Sequence, residues 1–423
     1  MSEILIKNAR IISPADNLSG VYDIKIKDGV IEQIGSGLAC ECEIIDADGL
    51  CAVPGLVDMH VHLRDPGQTQ KEDIITGCRA AAAGGVTSLL AMPNTTPTAD
   101  NPETVKYILD KAKTADARVY VAASITKGLK SEEKTDLAAL KAAGAVALSD
   151  DGRPVENTEF LREAMKAAPK LGMKPVAHCE DLFIANGGKM NDGKISEQLG
   201  VKGIPAAAED CGTAREIALA AAEDVPVHIC HVSTRTSVAL VRDAKKRGVK
   251  VTAETAPHYF SLTENELLRR DADYRMNPPL RTAEDVKAII EGLRDGTLDA
   301  IATDHAPHTP AEKADFEKAP NGSIGMETSL AAGITYLVKT GMLTLDELIE
   351  KMSVNPAKIL GLNAGTLSAG APADIALINP GEQWTVDVNK LHGKSKNTPF
   401  KGLTLTGKVK RTILGGKTVY IDE

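Results

Sequence analysis

GLVDMHVHLRDPG, residues 55–67, is an apolar run ending in two histidines two residues apart, framed by acids and followed by an arginine. On a strand, side chains at i and i+2 point the same way. Asp58, His60, His62 and Arg64 therefore share one face, and Val57, Met59, Val61 and Leu63 share the other. The apolar face suits packing against helices, and the polar face suits the mouth of a barrel. A lone His-x-His is weak evidence, because a neutral imidazole is a common half-buried side chain. Four charged or imidazole groups on one inward face are different, since buried charge must be paired or coordinate a metal.

The pattern repeats outward from this stretch. Short apolar runs lie near residues 52–62, 85–94, 117–125, 144–152, 173–180, 225–233, 250–258 and 300–308, separated by helical stretches such as SEEKTDLAALKAAG. Glycine stands where those helices would end. Strand–helix alternation predicts parallel pairing, and eight repeats are the count of a closed barrel. An open doubly wound sheet is the alternative, but no strand is followed by a glycine-rich dinucleotide fingerprint. The predicted class is α/β, a TIM-type (β/α)8 barrel over residues 53–364. Residues 1–52 and 365–423 read as short strands with Asp28-Gly29 and Gly-Gly turns. The two chain ends are predicted to pair into one small β-sandwich domain.

Bulk properties exclude several roles. The 423 residues are 43% hydrophobic and 25% charged, ordinary globular material able to bury a large core. Net charge is −9 and no Lys/Arg run exceeds three residues, so nucleic acid is not an expected partner. The longest apolar runs fall far short of a membrane span, and MSEILIKNAR shows no signal-peptide core. Seven cysteines, an odd number without framework spacing, suit a reducing cytoplasm. A soluble cytoplasmic protein is the expectation.

Active sites of such barrels form at the C-terminal ends of the strands. Here those ends read His60/His62, Asn94, Asp150/Asp151, His178, His231, His258 and Asp304/His308, while the strand starts are apolar. Singly, His178 and His231 are more often satisfied core histidines than ligands; His228 has the opposite parity to His231 and takes the structural role. Jointly, four histidines and two carboxylates at one rim suit a metal that accepts imidazole and carboxylate oxygen, zinc first. Asp304 in that position is able to bind metal and to accept a proton from water. Its alternative, capping a following helix, is weakened by Pro307 and Pro310. Within SDDG, Asp150 and Asp151 both remain candidates to bridge two metals, and a turn-forming Asp-Asp-Gly is the plainer alternative.

The motifs VPGLVDMHVHLRDPGQTQKEDI, MPNTTPT, SDDGRPV, AHCED, CHVST, TAPHY, MNPPLR and ATDHAPH span residues 53–308. Together they resemble the amidohydrolase superfamily, and within it the class I dihydroorotases. The resemblance implies one or two Zn2+ ions per chain, two favoured. His60 and His62 would hold one with Asp304, His178 and His231 the other, and Asp151 would bridge them. Many relatives place a carboxylated lysine at the bridge, and GAVALSDDGRPV contains no lysine. Arg64, Asn94 and His308 would grip a substrate carboxylate, with His62 beside them and Asn277 on the ring; an arginine fork suits a carboxylate. In KAPNGSIGMET the family usually has a bulkier apolar residue where Asn321 stands, so contact there would run through backbone groups of Asn321 and Gly322.

The activity implied is reversible interconversion of N-carbamoyl-L-aspartate and (S)-dihydroorotate in pyrimidine biosynthesis. Zinc-bound hydroxide would attack the ring amide, with Asp304 as general base and acid. Residues 305–325, rich in Pro, Lys and Gly, read as a lid over the substrate. Two alternatives stay open. One is another cyclic amidohydrolase of hydantoinase, dihydropyrimidinase or allantoinase type; the other is a non-catalytic barrel retained as a partner subunit. The missing bridging lysine argues against the first and the complete ligand set against the second. A homodimer and association with another enzyme of the pathway are both open, since 3% aromatic content offers no cluster from which to argue an interface.

Overall fold

Eight short parallel strands run in chain order around the centre of the molecule: β1 (Leu56–Val61), β2 (Val86–Ala91), β3 (Arg118–Ala123), β4 (Ala147–Leu148), β5 (Lys174–Ala177), β6 (Val227–Ile229), β7 (Val251–Thr255) and β8 (Ala300–Ile301). The computed structural model describes residues 3–422. A helix follows each strand, for example Ile74–Ala83 after β1, Ala206–Glu223 after β5 and Met326–Gly333 after β8. The predicted alternation is thus present, with ladders shorter than the apolar runs. The rim residues leave the ladder to face the opening.

Two apolar layers hold the barrel. Leu56, Val61, Leu63, Leu89, Val121 and Ile229 pack outward against the helices. Met59, Leu90, Ala122, Ala147, Val176, Cys230 and Ala300 fill the interior. Met59 is therefore inside, against the strict alternation expected of residues 57–64. The register of β1 on β2 slips between Asp58 and Val61, and Arg64 takes φ +59°. The strand breaks its period of two at the point where it begins to serve the rim.

The first and last strands meet through few bonds. His62 N donates to His305 O at 2.8 Å, and Val61 bridges His305 in parallel. Asp58 supplies the rest: its Oδ1 accepts from Thr303 N at 3.1 Å and its Oδ2 from the Thr303 hydroxyl at 2.5 Å.

Strands from both chain ends form one eight-stranded sheet with its own core of Ile6, Ile11, Ile24, Leu377 and Ile413, in accord with the predicted sandwich. The ends join where Ile375–Thr385 pairs antiparallel with Cys51–Pro54. Asp28 and Gly29, at φ +50° and +83°, make the tight turn between Leu18–Lys27 and Val30–Gly35. The sulfurs of Cys40 and Cys42, two apart in a loop, lie side by side, and Cys51, Cys78, Cys179, Cys211 and Cys230 are free. Among the described residues no helix is long and apolar enough to cross a membrane.

Candidate active site

The C-terminal rim brings four imidazoles from three strands onto one carboxylate. Asp151 Oδ1 lies 3.2 Å from His60 Nε2, 3.5 Å from His178 Nδ1 and 3.6 Å from His231 Nε2, and Oδ2 lies 3.4 Å from His62 Nε2. Asp304 Oδ1 stands 3.2 Å from His62 Nε2 and 3.6 Å from His60 Nε2. His178 Nδ1 and His231 Nε2 face each other at 2.9 Å. The donors fall into two groups sharing Asp151: His60 and His62 on one side, His178 and His231 on the other.

This donor set fits a cation. His60 Nε2 and Asp151 Oδ1 are fully buried and make no hydrogen bond, which is costly unless something positive sits between them. Burial disfavours a charged His60 ring, but Asp151 overrides it and holds that pKa well above the ordinary value. Burial likewise opposes ionised Asp151 and Asp304, and the surrounding imidazoles override it, so both carboxyls stay below their usual range. Imidazole nitrogens and ionised carboxylates converging in a buried site are the ligands of a borderline metal, whose binding would displace the imidazole protons.

The structure separates the two candidate bridging aspartates. Asp150 turns away and accepts from Ser124 Oγ at 2.7 Å, from Ile125 N at 2.6 Å and from the Thr126 hydroxyl. Asp151 alone faces the histidines. Asp304 caps no helix; Thr309 caps the one beginning at Pro310.

Beside the imidazoles opens a cavity of about 390 Å³ lined by His62, Arg64, Asn94, Asp151, His178, His231, Asn277, Asp304, His308, Asn321 and Gly322, with Gln68 and Lys71 at its edge. Nearly every sequence-predicted site residue therefore meets here; His60 lies just beneath, fully buried. Arg64 Nε donates to Pro307 O at 3.2 Å, and its Nη2 lies 3.4 Å from His308 Nε2. Burial lowers the Arg64 pKa to about 10, so it remains a cation at neutral pH. His308 Nε2 is 3.0 Å from the Asn321 carbonyl. Burial, with Arg64 and Lys71 nearby, brings its pKa down to about 3, and the ring is neutral.

Asn94 Oδ1 accepts from His62 Nδ1 at 2.8 Å, which leaves the lone pair of His62 on Nε2, toward the carboxylates. Asn277 Nδ2 donates to both Glu180 oxygens at 3.2 Å, while its Oδ1 is buried and unpartnered in the cavity. The Asn321 side chain turns away to Arg275, whose Nη2 donates to Oδ1 at 3.1 Å. The atypical residue at 321 thus presents its backbone, not its side chain, to His308.

Two carboxylates of this site are not singled out by the sequence. Glu180 Oε2 sits 3.4 Å from His178 Nε2 and also binds Asn277. Its signal was its place two residues after His178. Glu254 lies between His60 Nδ1 and His228 Nε2, each at 3.2 Å, with no local signal. Burial opposes its charge, but the two imidazoles bring its pKa to about 2. His228, assigned a structural role, belongs to this chain through Thr252 at 2.8 Å. His258 stays outside the cavity lining, and burial lowers its pKa to about 4.

A family model described as dihydro-orotase-like matches residues 49–237, and one described as amidohydrolase family matches residues 198–420. A dihydroorotase of Geobacter metallireducens is 51% identical over 421 residues, covering 99% of both chains. One of Acetivibrio thermocellus is 50% identical over 423 residues, again covering 99% of each. Among solved structures, the L-hydantoinase (dihydropyrimidinase) of Arthrobacter aurescens superposes with a TM-score of 0.88 at 26% identity. That alignment covers 100% of this chain and 96% of that one.

Proposed function

The chain belongs to the dihydroorotase family of amidohydrolases, and on that premise we propose that it interconverts (S)-dihydroorotate and N-carbamoyl-L-aspartate for pyrimidine synthesis, using two zinc ions. It is a hydrolase acting on a cyclic amide C–N bond. The observation carrying the metal part of the reading is Asp151, within 3.6 Å of four imidazole nitrogens beside a cavity that contains Arg64. His60, His62 and Asp304 would hold one ion, His178 and His231 the other, and Asp151 both.

When bound, the ions supply Lewis acidity, acidifying water and polarising a carbonyl. The rest falls to the side chains. Arg64, fixed by Pro307, offers a fork to the ring's carboxylate, with His308 and Asn94 on either side. Asn277 Oδ1, lacking any donor, accepts from a ring N–H. Backbone groups of Asn321 and Gly322 close the far wall. Asp304 is ionised and beside His62, positioned as the base that takes the proton of the attacking water. As the new C–O bond forms and the ring C–N bond breaks, Asp304 returns that proton to the leaving nitrogen. Ring closure runs the same steps backwards.

The fold neighbours are hydantoinases and dihydropyrimidinases, so substrate choice is the part to test. Dihydroorotate should be turned over with kcat/KM at least about a hundredfold above dihydrouracil, hydantoin or allantoin, since a buried cation left without its carboxylate is penalised. Preference for a ring lacking a carboxylate would overturn the assignment.

A further inference from the structure

The loop carrying His308 and Gly322 is held from outside the barrel. Its ends are irregular backbone whose polar groups need partners. One buried side chain, Asn397, supplies several of them. Its Oδ1 accepts from His308 N at 3.0 Å, and its Nδ2 donates to Gly322 O at 3.0 Å and Ala306 O at 3.2 Å. Its own carbonyl accepts from Ile324 N at 2.9 Å. Asn397 thus ties both ends of the loop, residues 306–308 and 322–324, to one point. Lys313 adds a second tie within the loop, donating to the carbonyls of Gly322, Pro320 and Arg275 at 2.9, 3.1 and 3.2 Å.

Asn397 lies in a strap, residues 391–400, that leads back toward the terminal sheet. The strap also holds the loop after β1, which carries Arg64. Lys394 N donates to Glu72 Oε2 at 3.1 Å, the Lys394 ammonium to Thr69 O at 2.8 Å, and Ser395 Oγ to Lys71 O at 2.7 Å. At its start, His392 Nδ1 donates to Glu327 at 2.8 Å. One segment therefore fixes both loops that face each other across the cavity.

We infer that Asn397 is a positioning residue for substrate: through the strap it sets the spacing of His308 and Gly322 opposite Arg64, and so governs substrate affinity without touching substrate. The inference rests on the dihydroorotase reading for the identity of that substrate. Displacements of about 1 Å at such groups are enough to cost as much as a hundredfold.

The test uses full-length, metal-loaded protein bearing Asn397→Ala or Asn397→Asp. Asparagine-to-aspartate keeps the size and the acceptor for His308 N but sets a carboxylate oxygen against two carbonyls. Both variants should raise KM for dihydroorotate about tenfold or more, with kcat within about threefold and bound metal unchanged. Hydrogen exchange should accelerate in peptides covering 305–325 and not in the barrel strands. An unchanged KM would overturn the inference. So would a loss of activity that tracks metal content and melting temperature, because Asn397 would then be only a structural bond. If the wild-type protein does not act on dihydroorotate, the proposed substrate fails, while the exchange measurement still decides whether Asn397 orders the loop.

Discussion

Asp58 and Thr303 fasten the first strand of the barrel to its last: both Asp58 oxygens are used, one on the Thr303 amide at 3.1 Å and one on its hydroxyl at 2.5 Å. The same Oδ1 accepts from His60 N at 3.2 Å. One buried side chain therefore closes the barrel and fixes the backbone of a proposed metal ligand. Asp58→Ala strips three buried groups of their partner, at about 1–3 kcal/mol for each donor left unsatisfied. The expected result is a clear fall in melting temperature together with reduced zinc content, measured by calorimetry and metal analysis. A variant with wild-type melting and full zinc would show that the clasp is dispensable.

Glu254 orients His60 from below. With its carboxylate on Nδ1, His60 keeps its Nε2 lone pair for the cluster. Glu254→Gln retains the shape but offers one of its two imidazoles an N–H in place of an acceptor. Metal affinity is expected to fall by about 10- to 100-fold, read by competition with a chelator of known affinity. Equal affinity in the two proteins would remove Glu254 from the site.

Gly322 has no room for a side chain. It sits at φ +140°, and a Cβ there would lie 2.8 Å from Ala306 Cβ, 2.9 Å from Ala306 O and 3.0 Å from His308 Nε2. Gly322→Ala should therefore push His308 out of place. The expected effect is a loss of about tenfold or more in kcat/KM, with zinc content unchanged and some fall in melting temperature from the strained backbone. Wild-type steady-state kinetics in this variant would contradict a substrate role for the loop.

The strap has a pH-sensitive anchor in His392 and Glu327. The hydrogen bond to Glu327 raises the His392 pKa above its ordinary value. A raised folded-state pKa means stabilisation that is complete below the unfolded value, about 6.5, and is lost as pH rises through the folded one. The melting difference between wild type and His392→Asn should accordingly be larger at pH 6 than at pH 9. A difference that grows with pH would reverse the assignment.

The barrel was legible because eight apolar runs alternate with helical stretches and all but one of them carry a polar, metal-capable end. Where the period of two breaks, as at Met59, the cause is a register slip that no local pattern announces. Asp150 and Asp151 could not be told apart from their neighbours alone. What separates them is Ser124 and Thr126, brought beside Asp150 from the preceding strand's end. Glu254 and Asn397 were silent for the same reason. Their partners lie 194 and 75 to 91 residues away, and a single polar residue carries no periodicity. Residues 305–325 read as a lid in the sequence; their hydrogen bonds to Asn397 and those made by Lys313 become visible only in three dimensions.

The most direct measurement is dihydroorotate turnover by metal-counted protein, before and after chelation, beside Asp304→Asn. The expected result is about two zinc ions per chain, as in a two-metal site. Activity should be abolished by chelation and restored by zinc, and kcat in Asp304→Asn should fall by at least about a hundredfold, as for a lost general base. Full turnover by the metal-free protein or by Asp304→Asn would contradict the proposed chemistry.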